Sequence, residues 1–596
     1  MRQSRGSNDD TRGILRLPDD VLIDISIQFA SFFRDTAGPL DSPDFWTRSV
    51  DYRWIIIAHI CRRWREVVLM IPQLWTTIPL LSDTDRAVAT LRRSGQLPLT
   101  VFEDISSFDL EGKRLVLKEI HRVAHLNIAL NCQTLDCFIP LQRKNAPLLE
   151  TLEFTYSDQD LYRRFDHDQF RQIFASWSFP SLTRLALHED EHRKIHEQEC
   201  LPEIGSIRLL LMPALIQLEI DTLASPIPVT TCIELLRALP LLEKLILGGV
   251  LGCPWGPVEN PMPPSTARIV HLPHLRELNL RKTVVKPVDW IDRLYRVPFD
   301  FGVAAADLLN HLATPCLTSM HFTATCQRFS EDNLRFIFLA IRDKAVGERG
   351  NKLLPTFSTS TVNFFQGDNN TFNFLIKLEN NPVSFLSTTQ ESSSSGHGRS
   401  LTVQVLLRVK NGDYICDANS KAFFDFGFPL SNISTLRWHT EQAEDVSEEC
   451  WHSAFRAMPN LQDVEVTNSG RLFIRALRKA THTATGAPAG VLPNLTRLKI
   501  EDTDWCPHKS AVLFSFLQNL SFQSTNTITS AREAHWEFQP FIDQVIQAFS
   551  IRTPVLEELV VIAPMCFNDG SMARLESAGV AKSVKWINIP GLDCLL

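Results

Sequence analysis

His188, Glu189, His192, His196 and Cys200 stand in the run LHEDEHRKIHEQEC, with the His and Cys residues each four apart. On a helix such residues point the same way, so His188 and His192 could share a zinc ion while Glu189 acts as general base for hydrolysis. The neighbours argue against that chemistry. Glu189, Asp190 and Glu191 form an acidic connection, whereas a zinc site of this kind needs apolar surroundings to hold both imidazoles. The positions where further glycine and histidine would be expected hold Ile195 and Gln198. A helix over 189–200 could still align His192, His196 and Cys200 as an adventitious metal site, but no metal ligand or catalytic residue is assigned. Other chemistry is equally absent: there is no G-x-S-x-G elbow and no P-loop, and GHGRSL at 396–401 lacks the third glycine of a dinucleotide site. The sequence therefore predicts a protein with no cofactor that is not an enzyme.

The elements that position these residues are legible in the rest of the chain. Its 596 residues exceed what one compact core needs, and 44% hydrophobic with 21% charged residues excludes disorder as the default. A net charge of -8 leaves no basic footprint for nucleic acid, and Arg62-Arg63-x-Arg65 and Arg163-Arg164 read as solvated helix faces. The N-terminus is polar, and apolar runs such as FIFLAI are too short to span a bilayer, so no membrane role is expected. Thirteen cysteines without a C-x-x-C pair read as reduced, mostly buried thiols of an intracellular protein, cytoplasmic and/or nuclear.

The strongest signal is repetition. The phrase P-x-L-x-x-L-x-apolar begins at Pro147, Pro180, Pro213, Pro240, Pro273, Pro315, Pro459, Pro493 and Pro554. From Pro147 to Pro273 (147, 180, 213, 240, 273) the copies lie 33, 33, 27 and 33 residues apart, the spacing of a stacked supersecondary unit. In PSLTRLAL the leucines Leu185 and Leu187 share one side of a strand, with Ala186 and His188 on the other. Segments such as TTCIELLRAL at 230–239 and ADLLNHLA at 306–313 have helical spacing. Each unit is thus a strand and a returning helix that must stack on its neighbours to bury its leucines. The fold class is α/β, with parallel strands on a concave face and helices and loops outside. Residues opposite the leucines form a candidate binding face: Glu153, Thr155, His188, Glu219, Asp221, Asn279, Arg281, Glu465, Thr467, Lys499 and Glu501. Between 315 and 459 the phrase fades, which reads as degenerate repeats carrying an insertion.

The N-terminal region differs. Val21, Leu22, Ile25 and Phe29 fall on one helical face behind Pro18 at the first helical position, with Asp19 and Asp20 at its positive end. WIIIAHICRRWREVV carries a stripe of Ile57, Ile60, Cys61, Trp64, Val67 and Val68, and PQLWTTI adds Leu74 and Trp75. So few residues cannot bury that much apolar surface, which marks a binding face.

Leu17-Pro18 with Val21-Leu22, then ICRRW at 60–64, then Pro72-x-Leu74-Trp75 resemble an F-box, and the repeats behind it resemble leucine-rich repeats. The combination is similar to F-box proteins of mushroom-forming fungi. The repeats depart from the family pattern in lacking its asparagine ladder, with Asp190 and Thr283 at two of those places. The box departs in the long stretch between its first two helices. The resemblance implies a substrate receptor of a Skp–cullin–F-box ubiquitin ligase. Leu17, Pro18, Val21, Leu22, Ile25, Ile60, Cys61, Trp64, Leu74 and Trp75 would form or support the surface that docks the Skp-family adaptor, and through it a cullin. Cys61 and Trp64 could equally hold the helices together. The domains expected are a disordered tail at 1–13, an F-box-like helical domain at 14–80 with an insertion at about 31–51, a connector at 81–103, and a repeat solenoid at 104–596 with loop insertions at about 252–265, 388–400 and 481–490. A non-catalytic repeat scaffold with a divergent box is the alternative.

Overall fold

The structure is a computed structural model. It describes residues 17–35, 52–80, 84–103, 110–138, 145–156, 177–189, 212, 214–221, 227–248, 251–252, 269–282, 301–326, 339, 341, 358–367, 371–379, 400–409, 424, 430–439, 447–467, 470–483, 492–501, 542–549, 555–563 and 569–588. The tail at 1–13, the insertion from 36, His192, His196 and Cys200, and most of the three loop insertions lie outside these residues. The chain divides into two compact units, Met1–Ile227 with Glu234–Lys244, and Pro228–Ile233 with Leu245–Leu596. Both are α/β and built on parallel strand ladders.

The repeated phrase explains itself through its backbone. The residue before the proline accepts a hydrogen bond from the leucine two places after it, as in Phe179 from Leu182 (3.3 Å), Leu272 from Leu275 (3.3 Å) and Met458 from Leu461 (3.4 Å). Proline is thus the second residue of a four-residue turn, where its fixed φ fits and its missing N–H is not needed. One place beyond that leucine, the backbone N–H reaches back to the equivalent carbonyl of the preceding copy. In the first unit Thr183 donates to Glu150 (2.9 Å) and Ile216 to Thr183 (2.8 Å); in the second, Thr318 donates to Arg276 (2.9 Å) and Thr496 to Gln462 (2.8 Å). Threonine hydroxyls double the link at Thr183 (3.2 Å), Thr318 (3.1 Å) and Thr496 (3.1 Å). Asn494 adds a side-chain bond to Asn460 (2.9 Å), which itself donates to the Ser431 carbonyl. These bonds stack one turn on the next without the missing asparagine ladder.

In the first unit, α1 (Asp19–Asp35), a 3-10 segment (Tyr52–His59) and α2 (Arg62–Met70) form a helical block, followed by β1 (Thr77–Leu80), α3 (Thr84–Arg93), β2 (Leu99–Glu103), α4 (Leu110–Lys118), β3 (Val123–Leu130), α5 (Cys132–Phe138), β4 (Thr151–Tyr156), β5 (Arg184–Glu189) and β6 (Gln217–Asp221). The six strands pair in order, all parallel. The ladder therefore begins at Thr77: residues 81–103, expected as a connector, hold α3 and β2, and β1 lies inside the stretch expected as the helical domain. Leu149, Leu152, Phe154, Leu182, Leu185, Leu187, Leu215, Leu218 and Ile220 are all buried, each stabilising the stack by roughly 1.5–3 kcal/mol.

α6 (Val229–Arg237) follows the phrase expected to be helical, and β7 is Lys244–Gly248. In the second unit β7 pairs with β8 (Glu277–Lys282), and β8 with β9 (Ser319–Cys326), which α7 (Phe301–His311) precedes. Next in sequence come β10 (Ser358–Gly367), β11 (Thr371–Glu379) and β12 (Ser400–Val409). Here the pairing changes: β9 joins β12 in parallel, β12 joins β11 and β11 joins β10 antiparallel, and β10 joins β13 (Thr435–His439) in parallel. Within the fading stretch β12 and β10 stay parallel to β9 and β13, and β11 alone runs against its neighbours. From β13 the parallel order resumes through β14 (Asp463–Thr467), β15 (Arg497–Glu501), β16 (Leu556–Ala563) and β17 (Ala581–Asn588), with α8 (Glu448–Ala457), α9 (Gly470–Thr483) and α10 (Asp569–Ser577) between them.

Candidate docking surfaces

The N-terminal block divides its apolar residues between two faces. Leu22 and Ala30 of α1 pack with Trp54, Ile57, Trp64, Val67, Val68, Leu74 and Trp75 in one core, against which Leu17, Phe29 and Cys61 are partly buried. Trp54 and Trp75 meet edge to face at 5.4 Å, Trp75 donates its indole N–H to the Val68 carbonyl (3.3 Å), and the Arg93 guanidinium lies 4.5 Å above the Trp75 ring. Leu22, Trp64, Leu74 and Trp75, four of the residues expected to form or support a docking face, are therefore interior. Pro18, Val21, Ile25 and Ile60 are exposed, and Leu17 and Cys61 are half-buried.

Periodicity explains the split on α1: Leu22, Ser26 and Ala30 recur every four residues toward the core, and Val21, Ile25 and Phe32 share the neighbouring face. Phe32, Ile56 and Met70 are further large apolar side chains left uncovered; with Val21, Ile25 and Ile60 they are 37 to 74% exposed. The sequence missed these three because pattern alone cannot rank two adjacent apolar faces. It also read one continuous helix where there are two elements. Cys61 adopts extended backbone (φ -161°, ψ 173°) at the N-cap of α2, which breaks the stripe and turns Ile60 outward. Arg63, read as a solvated charge, instead ties α2 to the start of α1, donating to Asp19 Oδ1 (2.6 Å) and to the Leu17 carbonyl (2.6 Å). Pro18 stands just before α1, its carbonyl accepting from Leu22 (3.1 Å).

On the first unit's ladder, the face opposite the leucines carries two rows in register: Asn127, Glu153, Ala186 and Glu219, then Ala129, Thr155, His188 and Asp221. Glu153 and Glu219 are buried, and Thr155, His188 and Asp221 half-buried. In-register side chains on adjacent strands cover one another, so "opposite the core" does not mean solvated. His188 Nε2 lies 3.2 Å from Glu153 Oε1, an ion-pair contact without the direction of a hydrogen bond to that oxygen. Burial pushes the Glu153 carboxyl above its ordinary pKa, offset in part by His188 and Arg184. For His188, burial lowers the imidazole pKa, but Glu153, Glu219 and Asp221 outweigh it and the net shift is upward.

The second unit's face is different in character. Asn279 and Thr467 are buried, and Arg281, Glu465, Lys499 and Glu501 half-buried. Its charges pair off among the described residues: Arg437 with Glu465 (3.5 Å), Glu465 with Lys499 and Asp463 with Arg497 (3.7 Å) across strands, and Lys499 with Glu501 (3.6 Å) along β15. Half-exposed pairs of this kind are each worth at most about 1 kcal/mol, and they leave no surplus sign.

His188 lies on β5, with Glu189 next to it on the opposite face of the strand, so His188 and Glu189 are not part of a metal-binding helix. Among the described residues no group of three or more His, Cys, Asp or Glu could hold a metal ion, and no helix is long and apolar enough to cross a membrane. No protein-family model matches the chain, and no curated protein is significantly similar to it.

Proposed function

We propose that the chain is the substrate-recognition subunit of a Skp–cullin–F-box ubiquitin ligase: an F-box-like block docks the adaptor, and a leucine-rich-repeat ladder selects a protein target. The observation that carries the reading is the set of exposed apolar side chains around a well-packed helical core, Val21, Ile25, Phe32, Ile56, Ile60 and Met70. Exposed side chains of this size make the anchors of protein interfaces. The interior tryptophans give the block the rigidity that such a surface needs. In this reading the transfer chemistry belongs to partner subunits. The alternative, a non-catalytic scaffold whose box does not dock, draws on the break at Cys61 between the 3-10 segment and α2. Co-purification with a Skp-family adaptor separates the two: wild type retains the adaptor and the Leu17→Ala/Pro18→Ala variant loses most of it. Equal recovery from both would overturn the receptor reading.

A further inference from the structure

Glu153 sits 2% exposed in the middle of β4, where an ionised carboxylate needs a countercharge. The nearest one is His188 on β5, 3.2 Å away. The charged groups facing this contact are Arg184 on β5 and Glu219 and Asp221 on β6, while β3 places the uncharged Asn127 opposite Glu153 in register. Among the described residues, three carboxylates are therefore set against one guanidinium and one imidazole.

Two bare lone pairs 3.2 Å apart would repel, so the contact holds at least one proton. With His188 as imidazolium, the pair is neutral overall and the buried carboxylate is compensated. With His188 neutral, Glu153 keeps its charge in the interior, next to Glu219 and Asp221, with its closest cation gone. We propose that the His188–Glu153 contact is a proton-dependent clasp between β4 and β5, closed while His188 is an imidazolium and loosened when that proton leaves. The sign follows from His188 titrating above its ordinary value: the stabilisation is fully present below about pH 6.5 and is lost as pH rises through the folded-state value. The clasp goes beyond the receptor reading and does not depend on it.

The test uses the full-length protein and mass spectrometry, reading exchange at the His188 ring C–H for its titration and exchange of backbone amides over 151–156 and 184–189. The wild type should titrate at His188 above pH 6.5, and its corrected amide protection should fall as pH rises from 6 to 8.5. In Glu153→Gln, which keeps the shape and removes the charge, His188 should titrate below 6.5 and the protection should no longer depend on pH. His188→Gln should likewise abolish the pH dependence, which keeps the proposal testable should Glu153→Gln fold poorly. A wild-type His188 that titrates at or below 6.5, or pH dependence that persists in either variant, overturns the clasp. The readout is confined to β4 and β5, so this idea and adaptor docking can fail separately.

Discussion

Lys113 and Glu103 show how much one buried pair can decide. Both side chains are removed from water and form an ion pair; Lys113 also donates to Thr134 Oγ1 (3.1 Å), and Glu103 accepts from the Ala129 N–H (2.9 Å). Together they join α4, β2, α5 and β3. Lys113→Met should destabilise the first unit by about 3–5 kcal/mol, because it strands the Glu103 charge, and adding Glu103→Gln should recover part of that loss. Urea unfolding followed by a probe in the first unit checks both. Cys232 makes a second residue-scale case: complete burial pushes its thiol up to about 12. In native protein at pH 8 it should escape alkylation that modifies the half-buried Cys61 and Cys316; labelling of Cys232 at a comparable rate would show that its surroundings open. Burial of most cysteines was expected from the sequence, whereas the Lys113–Glu103 pair was not legible in advance. Lys113 and Glu103 carry no sequence pattern, and Asp19 with Arg63 shows the same difficulty at a separation of 44 residues. A lone charge reads as solvated until its distant partner is placed.

At the scale of elements, the sequence was most informative where one local rule acts alone. Alternation marked the strand of each copy, because it is settled within eight residues. The hydroxyl links between copies were hidden, since Thr183 acts on Glu150, 33 residues back. Replacing Thr183 or Thr496 by valine should cost about 0.5–1.5 kcal/mol each, the worth of one hydrogen bond, measured as a shift in the unfolding midpoint. Strand direction was hidden too: alternation is the same for parallel and antiparallel pairing, so nothing in the sequence marked β11 as the reversed strand. In the N-terminal block the residue types were legible and their roles were not. Trp75→Ala should destabilise the block by about 3–5 kcal/mol through the cavity it leaves. Met70→Ala, at an exposed position, should change stability by no more than about 0.5 kcal/mol. Comparable losses for the two would contradict the division between core and surface.

Across the whole molecule, a helical block with uncovered apolar residues precedes ladders whose polar faces differ between the two units. Among the described residues, carboxylates outnumber cations around a histidine on the first unit's second face, whereas ion pairs balance the charge on the second unit's. The fold class was legible because nine copies of one phrase can bury their leucines only by stacking. The exposed apolar residues of the block were legible in part: Val21, Ile25 and Ile60 are exposed, whereas Phe32, Ile56 and Met70 emerge only once the core has claimed Leu22, Trp64, Leu74 and Trp75. The most direct measurement is the affinity of the full-length chain for a purified Skp-family adaptor, wild type against Val21→Asp/Ile60→Asp, with circular dichroism confirming that both are folded. The account predicts tight binding by the wild type and a loss of at least about 2 kcal/mol, some thirtyfold, in the variant. Equal affinity in the two, or no binding by the folded wild type, would contradict it.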